Sequence, residues 1–182
     1  MDNIEQLKEK LLKHRPVKWE LIPDIPLYMD QLKLYMMRQL IDLSDEDNLT
    51  SSMINNYSKM GILPRSQGKK YTKEHIAYLT GICLLKQILP IKDVDTLIKT
   101  GIDEHVIDDL YDVTLNFLDE ELNAVAKELP VSKQKKDIMM SALQLAISSY
   151  ARQLACKELI KLLNEPDVID DDKIGEETPT KQ

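Results

Sequence analysis

The side chains best suited to chemistry with another molecule lie between residues 50 and 72. Ser51, Ser52, Asn55 and Asn56 are short hydrogen-bonding groups at helical spacing, and an asparagine amide can bond adenine through a donor and an acceptor at once. Lys59, Arg65, Lys69 and Lys70 follow. Cationic groups of this kind neutralise phosphates and release the counterions condensed around them. The whole chain carries a net charge of −7, yet residues 50–75 carry +4 and residues 76–101 carry +1. Residues 1–49, 102–164 and the stretch from Glu165 onward carry −3, −4 and −5. Recognition of a polyanion needs a local positive surface, not a positive sum, and only this one segment can supply it.

Those groups need elements to hold them. Thr50 reads as an N-cap and Gly61 as a C-cap, which predicts a short helix through Met60. A basic loop from Pro64 to Lys70 contains Gly68, and Thr72 then caps a helix carrying Ile76, Leu79, Ile82, Cys83, Leu85 and Ile88 until Pro90 stops it. Upstream, Ile4, Leu7, Leu11 and Leu12 predict an amphipathic helix over 3–13. Met29, Leu32, Met36, Leu40 and Leu43 predict a longer one after Pro26, and Ser44 to Asn48 form an acidic turn. Downstream, Val94, Leu97 and Ile98 make a short helix that ends before Gly101. Leu110, Val113, Phe117, Leu118, Leu122, Val125 and Leu129 make a long one that ends at Pro130. Ser132 to Asn164 is the longest helix. It is apolar nearly all round between Ile138 and Ile147, with a stripe of Met140, Leu143, Ile147, Tyr150 and Leu154.

A helix apolar on more than one side must be covered on more than one side. Leu143, Ile147, Tyr150 and Leu154 are therefore expected to pair two copies of the chain as a homodimer. Glu165 to Gln182, with Asp170-Asp171-Asp172 and no apolar period, reads as a disordered acidic tail. The pattern divides the chain into N-terminal helices packed on the core (1–48), the positive segment (49–101), a C-terminal helical and dimerisation region (102–164) and the tail (165–182).

The run Leu49-Thr50-Ser51-Ser52-Met53-Ile54-Asn55-Asn56-Tyr57-Ser58-Lys59-Met60-Gly61-Ile62-Leu63-Pro64, followed by Lys69-Lys70-Tyr71-Thr72, resembles the recognition helix and wing of MerR-type regulators. Asp93-Val94 within Leu89 to Ile98 stand where that family has Glu-Ile. The resemblance implies an all-α fold in which a winged helix-turn-helix precedes two long helices, the wing being a short hairpin. It implies contact with double-stranded DNA through Ser51, Ser52, Asn55, Asn56, Tyr57, Lys59, Arg65, Lys69, Lys70 and Tyr71. Three positions depart from the pattern: Asn55 replaces the family's helix arginine, Asn56 its first aromatic and Ser58 its glutamate. A second likeness covers most of residues 17–160. Trp19-Glu20-Leu21-Ile22-Pro23-Asp24, Leu27-Tyr28-Met29-Asp30-Gln31, Met53-Ile54-Asn55-Asn56-Tyr57 and Lys69-Lys70-Tyr71 resemble a bacterial family known only as a domain of unknown function.

Other classes find little support. No phosphate-binding glycine loop, nucleophile elbow or paired-carboxylate motif occurs, so an enzyme is not expected and no cofactor is implied. His14, His75 and His105 are too dispersed to form a metal cage with Cys83 and Cys156. Two distant cysteines, no leader-like N-terminus and no membrane-length apolar run fit a reduced, cytoplasmic setting. Two competing readings remain: a winged-helix module that binds a protein partner instead of DNA, and a sensor whose helices 103–127 and 132–164 enclose a small-molecule effector.

Overall fold

The computed structural model describes residues 3–39 and 49–165. Leu40, Leu43, the acidic turn at Ser44–Asn48 and the tail beyond Glu165 lie outside the described residues. Among those described, the chain is all-α apart from one small sheet. Its helices are α1 (Asn3–Lys13), α2 (Met29–Gln39), α3 (Ser51–Met60), α4 (Lys73–Leu85), α5 (Ile91–Glu104), α6 (Ile107–Glu128) and α7 (Lys135–Leu163). A 3-10 turn covers Trp19–Leu21, and two-residue strands β1 (Leu27–Tyr28) and β2 (Lys70–Tyr71) pair antiparallel, with Leu27 opposite Tyr71 and Tyr28 opposite Lys70. No described helix is long and apolar enough to cross a membrane.

The apolar period of each helix accounts for the core. Leu32 and Met36 of α2, Ile54 of α3, Ile76, Leu79 and Ile82 of α4 and Val94 of α5 have no exposed surface. Ile22, Ile62 and Leu63 close the same cluster from the connecting segments. Cys83 sits in it as a small hydrophobe, its thiol pushed up to about 11 by desolvation. α1 packs on α6. Arg15 secures that contact by donating from Nε to Asp119 at 2.6 Å and from Nη2 to the Asn123 amide oxygen at 3.1 Å.

Gln39 is the buried polar group that joins distant segments of the N-terminal half. It is 2% exposed, accepts from the Val17 N–H at 3.2 Å and donates to the Tyr111 hydroxyl at 2.8 Å. Tyr111 in turn donates to the Val17 carbonyl at 2.7 Å, and its ring lies 6.1 Å from that of Trp19. Every polar atom of this triangle that the geometry brings inside has a partner, as burial requires.

Four features differ from the sequence expectation. α4 ends at Leu85, short of Pro90, and leaves Ile88 in the turn beyond it, 54% exposed. α5 does not end before Gly101 but runs through it to Glu104. Gly101 lets α6 approach closely, since a Cβ there would stand 2.9 Å from Leu110 Cδ2 and that side chain would have to shift. β1 had no counterpart in the reading, because two residues are too few for an alternation to register. The last helix begins at Lys135 instead of Ser132, whose hydroxyl accepts the Gln134 N–H at 3.2 Å just ahead of the first turn.

α7 touches the body mainly through its C-terminal half. Ile160 is its one buried residue among those described, Cys156 is half-buried, and Thr96 of α5 meets Asn164 at 3.4 Å. The remaining apolar surface of this helix faces outward. Met140, Leu143, Ile147, Tyr150 and Leu154 are 51–65% exposed.

Candidate nucleic-acid interface

Two caps define α3. The Thr50 hydroxyl accepts the Met53 N–H at 3.2 Å, and Gly61 turns the chain with φ of 77°, its N–H reaching the Ser58 and Tyr57 carbonyls. A side chain at that φ would be strained, so glycine is required there. Ile62 and Leu63 then donate to the Tyr57 carbonyl at 3.1 and 3.3 Å and bury their side chains. The exit of the helix is thereby fixed to the core. Ile54 and Tyr57 hold one face of α3 inside, and Ser52, Asn55, Asn56 and Lys59 occupy the opposite, exposed face, with Ser51 half-buried at its edge.

The loop after α3 is a hairpin. Gln67 and Lys70 exchange backbone bonds at 3.2 and 3.0 Å across Gly68 and Lys69, whose φ values are 58° and 63°. Positive φ at both central residues is the primed turn whose twist matches that of the strands it joins. Glycine adopts it freely, whereas Lys69 does so at a cost of about 1 kcal/mol. The result is an exposed tip bearing Lys69 and Lys70, with Arg65 exposed at its base. β1 backs this tip, and the Lys70 ammonium lies 5.4 Å from the centre of the Tyr28 ring.

Tyr57 and Tyr71, expected among the contact residues, are 7% and 5% exposed. They position the surface from within. Tyr71 meets His75 edge-on at 5.4 Å. Lys73, at the start of α4, is drawn onto Trp19 at 4.7 Å and toward Asp24 at 3.4 Å. Trp19, Tyr28 and the β1 pairing were missed by sequence reasoning. Trp19 and Tyr28 stand in runs of the second likeness, but the one local signal of the pairing was Leu27-Tyr28, two strand-forming residues directly after Pro26.

His75 links the hairpin to α4. Its Nδ1 accepts the Thr72 N–H at 3.0 Å, completing a capping box. Burial holds its pKa below the usual histidine value, outweighing the opposing pull of the Arg65 backbone, Glu74 and the Pro64 backbone. The neutral form belongs to the fold, while the unfolded chain takes up a proton near pH 6.5. Stability is therefore complete above that pH and is lost as pH falls from it through the lower folded value. His75→Gln keeps the capping acceptor without titrating. Thermal melts of the two proteins from pH 7.5 to 5 should diverge, with the wild type losing more. Parallel curves would show that this histidine does not set the acid sensitivity.

No curated protein and no solved structure matches the chain. The family model described as "Domain of unknown function (DUF1836)" matches residues 17–116. That segment opens at Val17 and closes just beyond Tyr111, so the buried triangle ties its two ends together. It contains α3, the hairpin and α4 whole, stops within α6 and leaves α7 outside. With more than half of its length matched in this way, the chain belongs to the DUF1836 family.

Proposed function

We propose that the protein is a sequence-specific regulator of transcription that binds double-stranded DNA as a homodimer. In this reading α3 meets base edges and the β2 hairpin grips phosphates. The observation that carries it is the pairing of two surfaces within the one strongly positive segment. One is a helix whose free face consists of Ser52, Asn55, Asn56 and Lys59. The other is a hairpin tip that raises Lys69 and Lys70 although Lys69 adopts a costly backbone conformation. The resemblance of residues 49–99 to the MerR winged helix-turn-helix supports the same assignment. α2 then serves as the first helix of the motif and α3 as the recognition helix.

The homodimer rests on α7. Met140, Leu143, Ile147, Tyr150 and Leu154 step by three and four residues, a seam of period 3.5 that suits a second helix. No charged residue occurs from Ile138 to Ala151, although most of this stretch is exposed. A lone helix in water rarely presents such a surface.

Selection from random duplex DNA with the full chain tests the reading, and the enriched site serves for titration. Lys69→Ala with Lys70→Ala should weaken binding to any duplex and flatten the slope of log K against log salt by about 0.9 per lost contact, so by about 1.8. Asn55→Ala and Asn56→Ala should instead reduce discrimination between sites by about 1–3 kcal/mol for each bidentate contact, with the salt slope unchanged. A double lysine variant with wild-type affinity and slope would remove the hairpin from the DNA. Failure to enrich any site would favour the protein-binding module, to which the overall charge of −7 and Asn55 in place of the helix arginine point.

A further inference from the structure

We propose that a groove bounded by α4, α5 and α6 is a binding site for an uncharged, apolar small molecule. The site stands whether or not the hairpin binds DNA. The groove has a volume of about 530 Å³, within the range of drug-sized ligand sites. Ala77, Gly81 and Leu84 on α4, Ile98 on α5, and Leu110 and Leu118 on α6 are among the residues of its walls.

Most polar groups of the walls are already engaged, the Tyr78 hydroxyl being the exception. The Thr80 hydroxyl donates to the Ile76 carbonyl at 2.9 Å, and the Thr114 hydroxyl to the Leu110 carbonyl at 2.7 Å. The Tyr111 hydroxyl belongs to the triangle with Gln39 and Val17. Glu121, at the rim, is paired with Arg152 of α7. A ligand that needed several hydrogen bonds would find only the Tyr78 hydroxyl to make them, whereas one recognised by shape and apolar contact loses little on entry.

Gly81 supplies an independent sign of an external occupant. A glycine in a helix interior costs about 1 kcal/mol relative to alanine. Gly101 has an internal reason for that cost in Leu110, but a Cβ on Gly81 would meet no atom within 4 Å. The space above it is left open by the chain itself. α7 decides the kind of occupant. Arg152 holds Glu121 of one wall while the Gln153 amide donates to the Ile88 carbonyl of the other. This end of the groove is bridged, and the turn into α6 at Ile107 bounds the opposite end. Bounded at both ends in this way, the groove has the shape of a small-molecule site more than that of a long seat for a helix from a second copy.

Titration of the full chain with N-phenyl-1-naphthylamine, an uncharged apolar fluorophore, tests the proposal. One probe per chain should bind and gain emission. It should quench the single tryptophan, Trp19, whose ring lies 6.1 Å from that of Tyr111 in the groove wall. Gly81→Met, which fills the floor, should weaken binding at least tenfold. Phe117→Glu, at a rim position 64% exposed and tolerant of charge, should do the same without risk to folding. Ile147→Glu on the α7 seam should leave it unchanged. The proposal fails if the wild type shows no saturable binding, if both groove variants bind like wild type, or if binding is lost in Ile147→Glu alone. It also fails if either groove variant sediments as a monomer while the wild type is a dimer, because a second copy would then be the occupant.

Discussion

Ile147→Glu should convert a species of twice 21.0 kDa into a monomer of that mass in sedimentation at micromolar concentration. It should also lower affinity for a two-fold DNA site by at least about a thousandfold. Ile147 lies at the middle of the α7 seam and is 61% exposed in the isolated chain. A glutamate there harms the monomer little. In the dimer it would bring two carboxylates into an apolar interface without partners, a cost of several kcal/mol. Loss of pairing also removes the high effective concentration that makes binding of the second half-site favourable. The far-ultraviolet spectrum and melting temperature of the monomer should stay close to those expected for an intact fold. A wild type that sediments at 21.0 kDa would end the homodimer reading.

Tyr111→Phe should destabilise the chain by about 2–3 kcal/mol, which for a domain of this size lowers the melting temperature by about 5–10 °C. The substitution keeps the ring that packs against Trp19 and deletes only the hydroxyl. It leaves the Val17 carbonyl and the Gln39 amide without their partner in a buried setting. An unsatisfied buried pair costs more than the net value of the bonds it made. Urea unfolding followed by Trp19 emission reads the loss. Gln39→Leu with Tyr111→Phe should recover part of it, because removing both polar partners is less harmful than removing one. A Tyr111→Phe variant as stable as wild type would mean that water replaces the hydroxyl.

Where an element's identity depends on its own residues, the sequence was a sufficient guide. Thr50, Gly61 and Thr72 cap the helices they were expected to cap, and α1 occupies the span its apolar period predicted. The fold failed to show where identity depends on a distant partner. Gly101 carries the local signature of a helix end, yet it lies inside α5, where its missing Cβ leaves room for Leu110 of another helix. Tyr57 and Tyr71 belong to a positive, polar segment and were placed with its surface, whereas their rings are needed inside to anchor α3 and β2. The exposed members of the candidate site, Ser52, Asn55, Asn56, Lys59, Arg65, Lys69 and Lys70, were legible because charge and hydrogen-bonding capacity belong to single residues. Their support by β1, Trp19 and His75 was not, since it arises from pairings that skip many positions.

The triangle of Val17, Gln39 and Tyr111 also has a meaning in time. Tyr111 lies 94 residues beyond Val17, and a ribosome adding about 5–20 residues per second needs roughly 5–20 s to cover that distance. From Tyr71 onward in that interval the nascent chain already carries α3 and the lysine-bearing hairpin, but the contact that docks the Val17 segment and the end of α2 onto α6 cannot close. An incomplete chain released before Tyr111 would hold its cationic segment on an unsecured scaffold, a substrate for proteases.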